Sequence, residues 1–371
     1  MNPSTSAKDS ASTRAAPGRP QALIVGATGG FGAQMARTLL AHGWAVHALT
    51  RHADMASRVR SGASGWRGLE AVQWHLGDAS VAADVLQAAQ GASVIVHAAN
   101  PPRYQRWREL ALPMLANTVA AAREVGARVV LPGNVYNFGP DAGELLSERS
   151  PQHPLTSKGA VRVEMEQMLR EAGAGMARPV RSLVIRAGDF FGGHAPASWF
   201  GNLMIKAGTP LREVVYPGTP GVGHNWAYLP DVTQAVASLL ALDRGEPQRL
   251  AVCEVVHFEG HWLRDGGEIA QAVRRVSGNP GLPIKRLPWW VLTALSPLVP
   301  LFREIREMRY LWQIPLRLDK RKLESLIGPE PHTPLDEAVR ASLIDMGCLS
   351  PVTASDGAEA GQATSAAAQV A

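Results

Sequence analysis

The sequence predicts an α/β fold, a doubly wound parallel sheet with a smaller C-terminal substrate lobe. Three observations predict it: strand-length apolar runs that lack polar alternation, amphipathic stretches of helical length between them, and 371 residues, enough for a large buried core. The runs fall at 22–25, 44–49, 72–76, 94–96, 129–131 and 183–185. Continuous apolar character is expected of strands covered by helices on both faces. Helices fit between the runs at 30–42, 80–90, 105–125 and 157–172. In such a sheet ligands bind outside the carboxyl ends of the strands.

After residue 188 the rhythm loosens into glycine-rich loops, with helices expected near 231–243, 265–276 and 334–347. The expected division is therefore a nucleotide-binding domain at 21–187 and a lobe at 188–349, some of whose segments return to the first domain. The ends, 1–20 and 350–371, are rich in Ala, Ser and other small residues without periodicity and read as disordered tails. Asp231 is placed to cap the helix that follows it. The stretch 287–302 is strongly apolar but has 16 residues and three prolines, too short and interrupted to span a bilayer. It reads as a core or homo-oligomer-interface helix, with Trp289 and Trp290 offering weak contact to a membrane surface as the other reading.

Composition narrows the function. With 46% hydrophobic and 19% charged residues and a mean hydropathy of -0.05, the chain reads as globular rather than disordered or multi-span. Cys253 and Cys348 form no framework, and residues 1–20 lack the apolar core of a signal peptide, so a cytoplasmic location is expected. The 37 basic and 32 acidic residues are interspersed, which argues against nucleic acid as a partner. His257, Glu259 and His261 lack a metal-binding pattern, so no metal site is expected.

The first strand runs into Gly26, Ala27, Thr28, Gly29, Gly30, Phe31 and Gly32, then a helix. Glycines at 26, 29 and 32 permit a tight turn, close approach of a pyrophosphate and close packing of helix on strand. This is the Rossmann-type arrangement for a dinucleotide. At the end of the second strand, where NAD-selective folds carry an acid, stands Arg51, which suits the 2′-phosphate of NADP. Asp54 lies slightly later and keeps NAD as the alternative. Asp78 follows the third strand and could accept from an adenine amino group. Ala98, Ala99 and Asn100 follow the fourth strand, where small residues let a cofactor lie close.

These residues resemble the extended short-chain dehydrogenase/reductase superfamily, specifically the NAD-dependent epimerase/dehydratase family. The resemblance covers about 21–347 through GATGGFG, the LGD ending at Asp78, HAAN at 97–100, VYNFGP at 135–140, IRAGDFFGG at 185–193 and NWAYLPDV at 225–232. It implies a nicotinamide cofactor and a small-molecule substrate held between the two lobes. It also implies a Ser or Thr before the VYG-like segment and a Tyr-x-x-x-Lys pair on the next long helix, four residues apart on one face. Here Pro132 and Gly133 stand at the hydroxyl position, Lys158 at the tyrosine and Arg162 at the lysine.

Arg162 can bind ribose or phosphate but not shuttle protons. Lys158 is the candidate proton donor, activated by desolvation and by Arg162. Asn134 could hydrogen-bond a carbonyl oxygen, and Tyr136, mostly structural in the family, is the other polar group expected near the nicotinamide. Asn100, Arg103 and Tyr104 are expected at the substrate entrance, and His194 and His224 in loops that could face a ligand. The resemblance thus implies an atypical NAD(P)-dependent oxidoreductase moving hydride between nicotinamide and a small or nucleotide-linked organic substrate. The alternatives are a non-catalytic NADP(H)-binding sensor or scaffold and, least compatible with Lys158 and Arg162, a sugar-nucleotide epimerase/dehydratase.

Overall fold

The computed structural model describes residues 18–62, 65–101, 106–175, 177–193 and 198–350. Arg103, Tyr104, His194 and nearly all of both expected tails lie outside the described residues. The strands of the first half are β1 (Gln21–Val25), β2 (Ala45–Thr50), β3 (Gln73–Leu76), β4 (Val94–His97), β5 (Arg128–Asn134) and β6 (Leu145–Leu146). Those of the second half are β7 (Ser182–Ala187), β8 (Asp189–Phe191), β9 (Val214–Tyr216), β10 (His224–Tyr228), β11 (Cys253–Phe258), β12 (His261–Leu263), β13 (Ile284–Arg286) and β14 (Arg317–Leu318). Helices α1 (Gly30–Ala41), α2 (Met55–Arg60), α3 (Ala82–Ala88), α4 (Trp107–Val125) and α5 (Ser157–Gly173) accompany the first half. The second half adds α6 (Leu229–Gly245), α7 (Glu268–Val276), α8 (Trp289–Leu295), α9 (Pro300–Glu307), α10 (Arg321–Ile327) and α11 (Leu335–Asp345).

Seven parallel strands form the central sheet in the order β11-β7-β5-β4-β1-β2-β3. Its two faces explain the unbroken apolar runs. Along β1, Ala22 and Ile24 pack into the layer containing α1 and α6, while Leu23 and Val25 pack into the layer containing α3, α4 and α5. A strand wedged between two helical layers has no polar face to show. The chain leaves β1 on one side to reach β2 and later returns on the other side as β4, so a crevice opens above the carboxyl ends of β1 and β4.

The seventh strand, β11, escaped the apolar-run criterion because Glu254 and His257 interrupt it. Both are buried: Glu254 accepts N–H groups from Ala251 and Val255, and His257 Nδ1 lies 3.0 Å from the Leu146 carbonyl oxygen. Beyond the sheet, β8, β10 and β12 form a small three-stranded sheet, and β9 with β13 and β6 with β14 form pairs.

Two sequence expectations are corrected. The stretch 287–302 is not one helix: α8 ends at Leu295, α9 begins at Pro300, and 296–299 between them is non-helical. Pro297 cannot supply the N–H that would continue α8, and Pro300 suits the first position of a new helix. The Trp289 indole donates to the Pro217 carbonyl at 2.8 Å, whereas Trp290 is 76% exposed. No helix among the described residues is long and apolar enough to cross a membrane. Asp231 does not cap α6, because the helix already starts at Leu229; its carboxylate instead accepts from Thr333 N and Oγ1 at 2.7 and 2.8 Å.

A buried ion pair ties the sheet to one helical layer. Arg128 of β5 donates through Nε and Nη2 to Asp243 of α6 at 2.9 and 2.8 Å, and both side chains are largely excluded from water. Removing the carboxylate leaves the guanidinium charge buried and uncompensated. Asp243→Ala should lower unfolding free energy by about 3–5 kcal/mol in chemical denaturation.

Candidate cofactor and substrate cleft

The turn after β1 lies hard against the end of β4. Gly26 has φ +96°, and a Cβ there would sit 2.6 Å from the Ala98 carbonyl carbon and the Ala99 nitrogen. A Cβ at Gly32 would sit 2.2 Å from the Gly26 carbonyl oxygen, so α1 starts directly on the turn. Gly29 differs: a Cβ there would meet only the Gly26 oxygen, at 3.5 Å. Gly29 also precedes α1 without a side-chain cap. The helix therefore presents its first N–H groups beside a position with open space, the geometry that receives an anion.

A cavity of about 560 Å³ extends from this turn along the strand ends. Thr28, Gly29, Gly30, Phe31, Arg51, Asp78, Ala98, Ala99, Asn100, Asn134, Tyr136, Lys158 and Arg162 all line it, with Gly26 at its floor. Gly32 is absent from the lining and serves the packing beneath. At one end, Arg51 Nη1 lies 4.0 Å from Asp78 Oδ2 and is well exposed. The Ser80 N–H and hydroxyl, each 2.8 Å from Asp78 Oδ1, together with Arg51 hold that carboxyl below its ordinary range.

Arg162 is deeper. It donates to Asn100 Oδ1 at 3.0 Å and to the Pro132 carbonyl at 3.2 Å, with its guanidinium 5.0 Å from the Trp107 ring centre. Asn134 uses Oδ1 to accept the Tyr136 N–H at 3.0 Å, so its amide N–H groups are the end it can offer a ligand. Gly133 is tightly enclosed. A Cβ at Gly133 would lie 2.9 Å from Arg186 Cγ, and Arg186 is locked by Glu166 at 2.6 and 3.0 Å and by His257 at 3.1 Å.

Lys158 opens α5, whose N-cap Thr156 accepts the Gly159 N–H at 3.0 Å. A Cβ at Gly159 would lie 2.2 Å from the Tyr136 carbonyl oxygen, so this turn packs tightly on the segment holding Asn134 and Tyr136. Lys158 is 4% exposed although it stands in the first turn of the helix. Its Nζ lies 2.6 Å from Glu304 Oε2 on α9. No motif flags Glu304, because it is remote in sequence and belongs to a stretch read only for its apolar character.

The far end of the cavity carries further groups that sequence reasoning did not assign. Asp189 was legible only as part of IRAGDFFGG; its carboxylate lies 2.8 Å from His224 Nε2, and that imidazole stacks on Trp312 at 4.0 Å between centroids. Ser198, Trp199, Asn202, Ile305 and Met308 complete the wall. His224 thus backs the cavity through Asp189 rather than lining it. His257 and His261 stay apart from any metal cluster among the described residues.

A profile described as the NAD dependent epimerase/dehydratase family matches residues 22–253. The chain belongs to that family. Solved structures of the same fold include L-threonine dehydrogenase from Clostridium difficile, 16% identical, with a TM-score of 0.68 over 89% of this chain and 99% of that one. UDP-glucuronic acid 4-epimerase from Bacillus cereus, in complex with NAD, is 14% identical, with a TM-score of 0.66 over 89% and 100%. UDP-glucose 4-epimerase from Bifidobacterium longum, in complex with NAD+ and UDP, is 15% identical, with a TM-score of 0.65 over 89% and 100%. Among curated protein sequences there is no match.

His97 ends β4 directly below the cleft, fully buried, with Nδ1 2.8 Å from Thr118 Oγ1. Burial, and secondarily the charge of Arg162, push its pKa down to about 3. The folded state therefore holds a neutral imidazole, and the resulting stability is complete above the unfolded value near 6.5 and is lost as pH falls towards about 3. Thermal unfolding followed from pH 7 to 4 should show a falling midpoint. His97→Gln should make the fall shallower without abolishing it, because burial also drives His257 to about 3 and His261 to about 4.

Proposed function

We propose that this member of the epimerase/dehydratase family is an NADP(H)-dependent oxidoreductase that interconverts a carbonyl compound and its alcohol, using Lys158 in place of the family's tyrosine. The observation that carries this reading is the Lys158–Glu304 ion pair, shielded from water in the cleft wall beside Asn134 and Tyr136. A pyridine dinucleotide fits the residues present. The open side of Gly29 and the first turn of α1 suit its diphosphate, the small side chains of Ala98 and Ala99 its close passage, and Arg162 with Asn100 its inner ribose. When bound, the nicotinamide supplies or accepts the hydride.

The chain's own residues handle the proton. Lys158 Nζ donates an N–H to the substrate oxygen as negative charge develops there and gives up a proton to form the alcohol. Glu304 fixes the position of that ammonium and, being partly exposed, links it to solvent from which the proton is replaced. Asn134 can add a second donor to the same oxygen through its amide. Arg51, well exposed at the end of β2, supports NADP over NAD, because a guanidinium offers paired donors to a 2′-phosphate.

Steady-state oxidation of NADPH with a panel of carbonyl compounds tests the reading. Lys158→Met should lower kcat by about a hundredfold or more, and Glu304→Gln by roughly tenfold, with NADPH affinity retained in both. Tight NADPH binding without turnover on any compound would instead assign a sensor or scaffold. Separately, Arg51→Ala should weaken NADPH binding by about tenfold or more while leaving NADH little changed.

A further inference from the structure

We infer that the substrate of this cleft is an uncharged compound with an extended apolar body, rather than a sugar joined to a nucleoside diphosphate. The inference rests on the proposed oxidoreductase reading and extends it to the substrate class. Outside the glycine turn and the strand ends the cavity is walled by Trp199, Leu203, Ile305 and Met308, with Ser198 and Asn202 among them, while Phe190 packs on Phe31 at the glycine turn. Trp199, Leu203 and Ile305 are only partly covered by the protein, so a ligand would remove their apolar surface from water.

The ionisable side chains at that end already hold one another. Lys158 Nζ is held by Glu304 at 2.6 Å, and the Asp189 carboxylate by His224 at 2.8 Å. Arg162, the next cation inward, is engaged by Asn100 and the Pro132 carbonyl. A diphosphate brings two negative charges that need guanidinium, ammonium or converging N–H donors. Among the described residues this wall offers it two carboxylates, Asp189 and Glu304, and no guanidinium or ammonium beyond Lys158, with Ser198 and Asn202 as its neutral donors. A carbonyl or hydroxyl group needs only Lys158 and the Asn134 amide, and its apolar remainder suits the rest.

The test is calorimetric titration of the full chain saturated with NADP+, after a separate titration has established cofactor binding. Straight-chain 2-ketones of increasing length, UDP and UDP-glucose are the probes. The expected result is a dissociation constant that falls roughly three- to fourfold per added methylene, with no saturable binding of UDP or UDP-glucose below millimolar concentration. Leu203→Asp and Ile305→Asp should each weaken the longest ketone at least tenfold while NADP+ affinity, the control for folding, stays unchanged. Micromolar binding of UDP-glucose, ketone affinity that does not rise with length, or indifference to both variants would overturn the inference. Failure of NADP+ to bind in the first titration would overturn the cofactor reading beneath it.

Discussion

The close approach of the Gly26 turn to the end of β4 is the constraint on which the cleft depends. With any side chain at Gly26, or at Gly32 behind it, the turn would be forced off Ala98 and Ala99 and α1 would be lifted from the sheet. That single contact sets the floor of the cavity and aims the start of α1 along it. The order of the sheet then fixes everything else. Strands β2 and β3 place Arg51 and Asp78 at one end, and β5 and α5 place Asn134, Arg162 and Lys158 in the middle. Beyond these, β8 and α9 close the far end with Asp189 and Glu304.

Gly133 and Lys158 are both tied to the fold through helix α5. Arg186 occupies the space that a side chain at 133 would need, and it is anchored by Glu166 from α5 and His257 from β11. The same helix α5 carries Lys158, whose charge is met by Glu304 from α9. A lysine there without a carboxylate would leave a buried ammonium uncompensated, at a cost of several kcal/mol. Lys158 and Glu304 are therefore physically linked, although they are far apart in sequence.

Legibility in the sequence followed the range of the interactions. Strands β1, β2, β4, β5 and β7 and the glycine turn were readable because both are local: apolar runs report burial on two faces, and Gly26 reports a backbone conformation, whereas the edge strand β3 has no buried residue. β11 was not readable, because Glu254 and His257 find buried partners only in the folded chain. Asp231 was misread because its partner, Thr333, comes from another part of the chain. Most cleft residues on the strand ends were named from motifs. Glu304 and the apolar far wall were not, because they reach the cleft only through the docking of α9 and of the segment after β8.

The most direct test of the central claim is equilibrium binding of NADPH to the full chain, read by nicotinamide fluorescence, in the wild type and in Gly29→Val. Gly29 is extended and its side-chain direction is open, so valine should leave the melting temperature unchanged while filling the space beside the start of α1. The account predicts saturable one-site binding by the wild type and its loss in the variant. Absence of saturable binding in the wild type, or equal affinity in a fully folded variant, would contradict it.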